Sequence, residues 1–102
     1  MKIVWTKFAI NNLKLIYDFY ILKMGKKTAI KVKNNIFNAT NQLLNYPESG
    51  EVEENLRLEN SIYRYIVSYN CKIIYRVSQN EVIIIDVFDT RKNPDKMIDA
   101  VL

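Results

Sequence analysis

Three strand-like runs follow one another in the second half of the chain with almost no residues between them. They lie within Tyr63–Asp89 and read YRYIVSY, CKIIYRV and EVIIIDVFD. In the first two runs, β-branched and aromatic residues alternate with polar or charged ones, which is typical of half-buried strands. Because Asn70 alone separates the first run from the second, and Ser78–Asn80 separates the second from the third, tight antiparallel hairpins are expected. The third run, Val82–Phe88, is almost continuously apolar and is predicted to be the central strand, buried on both faces.

The first half of the chain predicts a strand and two helices. Lys2–Trp5 is a short apolar run that can form an edge strand. Thr6 follows it as a helix cap, because its hydroxyl can accept a hydrogen bond from an unpaired N–H of the first turn. Gly25 ends this helix, and a second helix is predicted over 26–46 before Pro47 stops it. Since a single residue joins the two helices, they are expected to form an antiparallel hairpin.

Each predicted helix has an apolar stripe at helical spacing that is expected to face the core. The first stripe contains Ala9, Leu13, Ile16, Tyr17, Tyr20 and Met24, and the second contains Ala29, Val32, Ile36, Ala39, Leu43 and Tyr46.

Short elements complete the expected architecture. Leu56–Leu58 is a candidate strand after an acidic loop, and Asn93-Pro94 is a helix-start signal that precedes a final short helix. The element order is therefore β-αα-ββββ-α, which predicts an α+β fold with a twisted antiparallel sheet packed against the helical hairpin. With 102 residues and 49% hydrophobic content, a single domain spanning 1–102 with one core is expected.

The helices carry more apolar surface than one sheet face can cover. A second apolar stripe lies beside the residues expected in the core and consists of Phe8, Leu15, Phe19, Leu22, Ile30, Phe37 and Leu44. These side chains either wrap tightly into the core or form a groove for a partner helix. The sequence leaves both interpretations open.

The net charge of +4 is unevenly distributed. Residues 23–33 contain lysines and no acid, whereas residues 48–59 are rich in glutamate. The sheet cations, in or directly after the predicted sheet, are Arg64, Lys72, Arg76, Arg91 and Lys92. We expect Arg64, Lys72, Arg76 and Arg91 to share one sheet surface suited to a polyanion or an acidic partner. The tyrosines that alternate with them are therefore expected to face the helices; they are Tyr63, Tyr65, Tyr69 and Tyr75.

The chain contains no histidine and only two glycines. This composition excludes a histidine general base, a Ser-His or Cys-His nucleophile pair, a histidine metal site and a glycine-rich phosphate loop. We expect no metal, no cofactor and no membrane span, and a single cysteine agrees with the reducing cytoplasm. The remaining chemistry is that of Arg and Lys, which bind phosphates and stabilise the charge that develops during RNA cleavage.

Four segments occur in a characteristic order along nearly the whole chain. They are WT-x-x-A-x-x-x-L-x-x-IYDF at 5–19, LLNYPESG at 43–50, YR followed by KIIYRV within 63–77, and the apolar run 82–87 with a basic residue beyond it. The ordered set resembles the RelE/ParE superfamily of toxins from bacterial type II toxin–antitoxin systems. The resemblance implies a growth-inhibiting protein that a cognate antitoxin neutralises in a heteromeric complex, of the kind associated with plasmid stabilization.

Two activities are known in this superfamily. RelE-like members cleave messenger RNA in the ribosome with basic residues of the sheet and a His or Tyr near the C-terminus, whereas ParE-like members poison DNA gyrase and lack that set. Arg64, Lys72, Arg91 and Lys92 fall at positions resembling the basic part of the RNase site. However, FDTRKN at 88–93 stands where the His or Tyr would be. With no His or Tyr at this place, and with a one-residue joint between its helices, the chain resembles the ParE branch more closely.

The resemblance therefore implies a cytoplasmic, non-catalytic toxin directed at DNA gyrase. Its sheet cations would bind the target, and its second apolar stripe would bind the antitoxin. Two alternatives stay open: a ribosome-dependent mRNA endoribonuclease, in which Arg64, Lys72, Arg91 and Lys92 would act, and a non-toxic scaffold for an acidic partner.

Overall fold

Two helices cover one face of a five-stranded mixed sheet in the computed structural model, which describes residues 1–54, 56 and 61–90. The elements are β1 (Lys2–Trp5), α1 (Lys7–Met24), α2 (Lys26–Asn41), a 3-10 turn (Gln42–Leu44), β2 (Glu51–Val52), β3 (Arg64–Ser68), β4 (Cys71–Ser78) and β5 (Glu81–Asp89). The strands are arranged in the order β1-β5-β4-β3-β2. The predicted α+β fold, with a strand, a helical hairpin and then further strands, is confirmed. None of the described helices is long and apolar enough to cross a lipid bilayer.

Thr6 starts α1 as predicted and also fastens it to the sheet. Its hydroxyl oxygen accepts a hydrogen bond from the Ala9 N–H at 3.1 Å and donates one to the Ile85 carbonyl at 3.2 Å. The Thr6 N–H donates to the Ile84 carbonyl at 3.1 Å. One residue therefore satisfies a free N–H of the first helical turn and determines where α1 meets β5.

Gly25 forms the whole connection between α1 and α2, as the sequence predicted. Its φ of +94° lies in the region that favours glycine, and its N–H donates to the Ile21 carbonyl at 3.1 Å. Its own carbonyl accepts from the Ala29 N–H at 3.1 Å. The second helix is shorter than the predicted 26–46, because α-helical pairing ends at Asn41 and the chain tightens into the 3-10 turn.

The sheet is antiparallel from β2 to β5, but β1 pairs with β5 in parallel, with Lys2 opposite Glu81. The expectation of a wholly antiparallel sheet was therefore wrong at this edge. A hairpin turn forces antiparallel pairing between neighbouring strands, whereas the long helical connection after β1 leaves its direction free. The run Val82–Phe88 is an interior strand with both faces covered, as predicted, but β4 occupies the middle position because β1 adds outside β5.

Of the short strand expected at Leu56–Leu58, the structure describes only Leu56, which lies outside any strand with its side chain buried. A short strand lies earlier, at Glu51–Val52, and pairs with β3. Leu58, the predicted C-terminal helix, Arg91 and Lys92 lie outside the described residues.

Two apolar clusters lie on opposite faces of the sheet. The larger cluster packs the helices on the sheet and contains Ala9, Leu13, Ile16, Val32, Ile36, Leu43, Cys71, Ile73, Tyr75, Val82, Ile84 and Val87. The smaller cluster, on the face away from the helices, contains Leu56, Tyr63, Ile74, Ile85 and Phe88. Most of the predicted helical core positions are buried or half-buried, but Met24 and Tyr46 are exposed because each lies past the last buried turn of its helix.

The expected direction of the tyrosines was correct only for Tyr75. Tyr63 belongs to the smaller cluster, Tyr65 packs against that cluster, and Tyr69 is exposed in the β3–β4 turn. The reason is the register, which pairs Arg64 with Tyr75 across β3 and β4. Residues directly opposite each other share a face, so Arg64, rather than the flanking tyrosines, lies on the side of Tyr75.

Gly50 closes the turn between the helices and the sheet. Its N–H donates to the Tyr75 hydroxyl at 2.9 Å, and its carbonyl accepts from Arg64 Nη1 at 2.9 Å. A Cβ at this position would lie 2.6 Å from the Tyr75 Oη and 2.7 Å from the Tyr65 carbonyl oxygen. Only a residue without a side chain fits between the turn and β3.

We expect Gly50→Ala to lower the free energy of unfolding by about 1–3 kcal/mol, because the added methyl group must displace buried atoms. Chemical denaturation monitored by circular dichroism measures this loss. Ser49→Ala is the matched control, since Ser49 is exposed on the same turn. Equal stability of the Gly50 variant and the wild type would contradict the close packing.

Candidate functional site

The structure separates the sheet cations that were expected to share one surface. Arg64 lies on the helical side of β3, opposite Tyr75, whereas Lys72 and Arg76 alternate with Tyr75 along β4 and lie on the other face. The expectation of a single cationic surface was therefore wrong for Arg64. Arg64 and Arg76 nevertheless both line a cleft of about 270 Å³ where β3 begins and β4 ends.

Arg64 is engaged by the turn that follows the helices. Its Nη1 donates to the Gly50 carbonyl at 2.9 Å and to the Glu48 carbonyl at 3.3 Å. The turn is itself fixed by the hydroxyl of buried Tyr75. Burial raises the pKa of Tyr75, although the hydrogen bond from Gly50 opposes this shift. Arg64 therefore holds the chain entering β2 in position.

Lys72 is already neutralised by a carboxylate of the same chain. Its Nζ lies 2.5 Å from Glu53 Oε2, and the Glu53 side chain is only 2% exposed. The same ammonium group lies 4.1 Å from the centroid of the Tyr65 ring, which adds a cation–π contact. An incoming phosphate would have to displace Glu53 before it could use the charge of Lys72.

Tyr65 is held in its protonated form. Its hydroxyl donates to Glu51 Oε2 at 2.6 Å, and this hydrogen bond raises the pKa of Tyr65 above its ordinary value of 10.0. Desolvation and the negative charge of Glu51 and Glu53 raise it further. A tyrosine in this state can donate a proton but is a poor general base at neutral pH.

These contacts define the front-face network, which consists of Glu51, Glu53, Tyr65 and Lys72. It occupies the sheet face away from the helices, beside the smaller apolar cluster. Sequence reasoning missed it by assigning the glutamates to a solvated loop. The available signal was their spacing, because Glu51 and Glu53 are two residues apart and so point to the same side of an extended segment.

Among the three sheet cations that the structure describes, Arg76 is the one whose charge is most available. Arg64 and Lys72 have the partners described above, whereas Arg76 has neither a hydrogen bond nor an ion pair with any residue that the structure describes. It is half-buried and lines the cleft together with Arg64, Glu48 and Val77.

The second apolar stripe is exposed. Each of its seven side chains has 36% or more of its surface accessible, and Leu22 reaches 81%. Neighbouring aromatic residues support two of them, since Phe37 lies 5.2 Å from the Trp5 ring and Phe19 lies 5.6 Å from the Tyr20 ring. Of the two interpretations that the sequence left open, tight wrapping into the core is therefore wrong, and the helices present an apolar surface.

Comparison with known proteins gives a family and a fold. A family model described as the ParE toxin of the type II toxin–antitoxin system parDE matches residues 3–94. Among solved structures, the chain is similar to one described as the chromosomal ParDE TA system from P. aeruginosa. That likeness has a TM-score of 0.71 and 21% sequence identity, and covers 87% of this chain and 95% of the other. No curated protein matches the chain.

We expect Lys72→Met to lower the free energy of unfolding by about 2–3 kcal/mol, because it leaves the Glu53 carboxylate buried without its ammonium partner. Glu53→Gln should cost less, since the Lys72 side chain is 20% exposed and can reach water. Urea denaturation of both variants and of the double variant measures the coupling between the two side chains. Strictly additive losses would contradict a direct ion pair.

Proposed function

Since the chain belongs to the ParE toxin family of type II toxin–antitoxin systems, we propose that it arrests bacterial growth by acting on DNA gyrase, without catalysis of its own. A cognate antitoxin neutralises it by forming a heteromeric complex. The proposal places the protein in the bacterial cytoplasm, where gyrase and its DNA substrate are found.

The ion pair between Lys72 and Glu53 is the observation that favours this activity over RNA cleavage. Stabilising a phosphoryl transition state requires cations whose charge is directed at the developing negative charge. Here the Lys72 ammonium faces a buried carboxylate, and Arg64 donates to two backbone carbonyls. Glu53 also adds a negative charge at the place where a phosphate would bind.

The tyrosine of the front-face network is also a poor proton acceptor. Cleavage of RNA through its 2′-hydroxyl needs a base, and the hydrogen bond to Glu51 keeps Tyr65 protonated. A ribosome-dependent endoribonuclease is therefore less well supported than a toxin that works by binding. In that role Arg76, together with Arg91 and Lys92, supplies the cations for contact with the target.

The second apolar stripe is the proposed antitoxin-binding surface. Six of its residues lie on the two helices of the hairpin and Leu44 lies in the 3-10 turn that follows; all are exposed, so an amphipathic antitoxin segment can bury them. Within the described residues, β1 and β2 are the edges of the sheet, and an extended antitoxin segment could pair with either. Acidic residues in the antitoxin would speed association with a chain of net charge +4.

We expect the purified protein to inhibit supercoiling of relaxed plasmid by DNA gyrase and to leave messenger RNA uncut in a translating bacterial lysate. Arg76→Ala should weaken the inhibition several-fold, because it removes an available cation from the cleft, whereas exposed Lys14→Ala should not. In cells, a DNA-damage response with filamentation should accompany growth arrest.

Other results would favour the alternative functions. Cut messages that disappear in the triple variant Arg64→Ala, Lys72→Ala, Arg91→Ala would establish the endoribonuclease. Overexpression without any effect on growth would favour the non-toxic scaffold.

We expect Phe19→Ser and Phe37→Ser each to weaken the complex with the cognate antitoxin about tenfold or more, because each removes a large apolar anchor. Lys27→Ser is the matched control and should have a smaller effect. Titration calorimetry measures the affinities, and thermal melting confirms that the variants are folded. Equal small effects of all three substitutions would refute the apolar groove.

A further inference from the structure

The end of the helical hairpin is a second exposed surface with its own chemistry. All residues of the hairpin tip, Ile21–Lys27, are exposed in an unbroken run, and they include Leu22 at 81% and Met24 at 64%. The tip also contains Lys23, Lys26 and Lys27 and no acidic residue. Large apolar side chains and positive charges thus occur together on one projecting turn.

Two of the three charges at the tip are unfavourable for the isolated chain, whereas Lys23 lies in the last turn of α1, where the helix dipole favours a cation. Lys26 and Lys27 lie in the first turn of α2, where the free N–H groups and the helix dipole are already positive. That turn contains no acidic residue, and Gly25 provides no side chain to cap it. These lysines form no ion pair with a residue that the structure describes. The tip therefore presents a concentrated positive field whose complement is an acidic surface.

The apolar residues of the tip suit insertion into a pocket. Successive helical residues are rotated by about 100°, so Ile21 and Met24, three positions apart, lie on one side of the end of α1, and Leu22 lies on a neighbouring side. A helix that lies on a lipid surface instead needs one continuous apolar face along its length. Apolar side chains spread over two sides of an exposed helix end fit a concave protein surface, and methionine adapts well to such surfaces.

We propose that the hairpin tip docks on the toxin's protein target, in an apolar pocket with an acidic rim. This inference rests on one part of the proposed function, namely that the toxin acts on a protein target. It does not require that the target is gyrase. The second apolar stripe extends along the helices, whereas Ile21, Met24 and the tip lysines lie outside it. Target and antitoxin would therefore contact different residues of the hairpin, with Leu22 common to both.

The test compares the full-length double variants Lys26→Glu/Lys27→Glu and Lys7→Glu/Lys14→Glu. Both pairs of lysines are exposed, and both double substitutions lower the net charge by the same amount. A difference in activity between the two variants is therefore due to where the charges lie. Acidic residues at the start of α2 complement the helix dipole, so the tip variant should melt no lower than the wild type. Ile21→Ser/Met24→Ser tests the apolar part separately.

Growth arrest on induction in bacteria is the main measurement, and inhibition of purified gyrase is the second. Both tip variants should require about tenfold more protein for growth arrest, while the Lys7/Lys14 variant behaves as wild type. If the wild type and the variants differ in growth arrest as expected, but the purified wild type does not inhibit gyrase, the gyrase proposal fails and the tip inference stands. Equal growth arrest by all variants would overturn the tip inference. Sedimentation of the wild type, but not the tip variants, with phosphatidylglycerol vesicles would also overturn it, in favour of a lipid surface.

Discussion

The register between β3 and β4 is the constraint on which the described site depends. Pairing Arg64 with Tyr75 directs both side chains to the helical side and sends Lys72 to the opposite face. Tyr75 can then bind the Gly50 turn, and Arg64 can hold the same turn by its carbonyl. A shift of one strand by one residue would turn its side chains to the opposite face, so Arg64 and Tyr75 would no longer share a side and could not both hold the turn.

The fixed turn also determines the electrostatics of the front face. Because β2 begins directly after Gly50 and pairs with β3, Glu51 reaches the Tyr65 hydroxyl and Glu53 reaches Lys72. The acidic segment after Gly50 thus supplies the carboxylate that pairs with Lys72 of β4, so the ammonium group of Lys72 has its counter-charge within the same chain. This is consistent with a toxin that acts by binding.

The hairpin carries two exposed surfaces of different composition. Along the helices, the second apolar stripe exposes aromatic and aliphatic side chains such as Phe19 and Phe37. At the tip, Lys26 and Lys27 add charge to Leu22 and Met24. A small protein can present both surfaces because α1 and α2 each use only one face to cover the sheet.

The sequence by itself determined the elements that depend on neighbouring residues. Helical spacing, the Thr6 cap and the Gly25 joint specify the hairpin, and alternating β-branched residues specify the strands, since each rests on local hydrogen bonding and side-chain period. It also supplied the family resemblance and the seven residues of the second apolar stripe. Only the tertiary structure decided the parallel pairing of β1, the faces of Arg64 and Lys72, and the partner of Glu53. Those features depend on register and on contacts between distant segments, whose free energy no local pattern encodes.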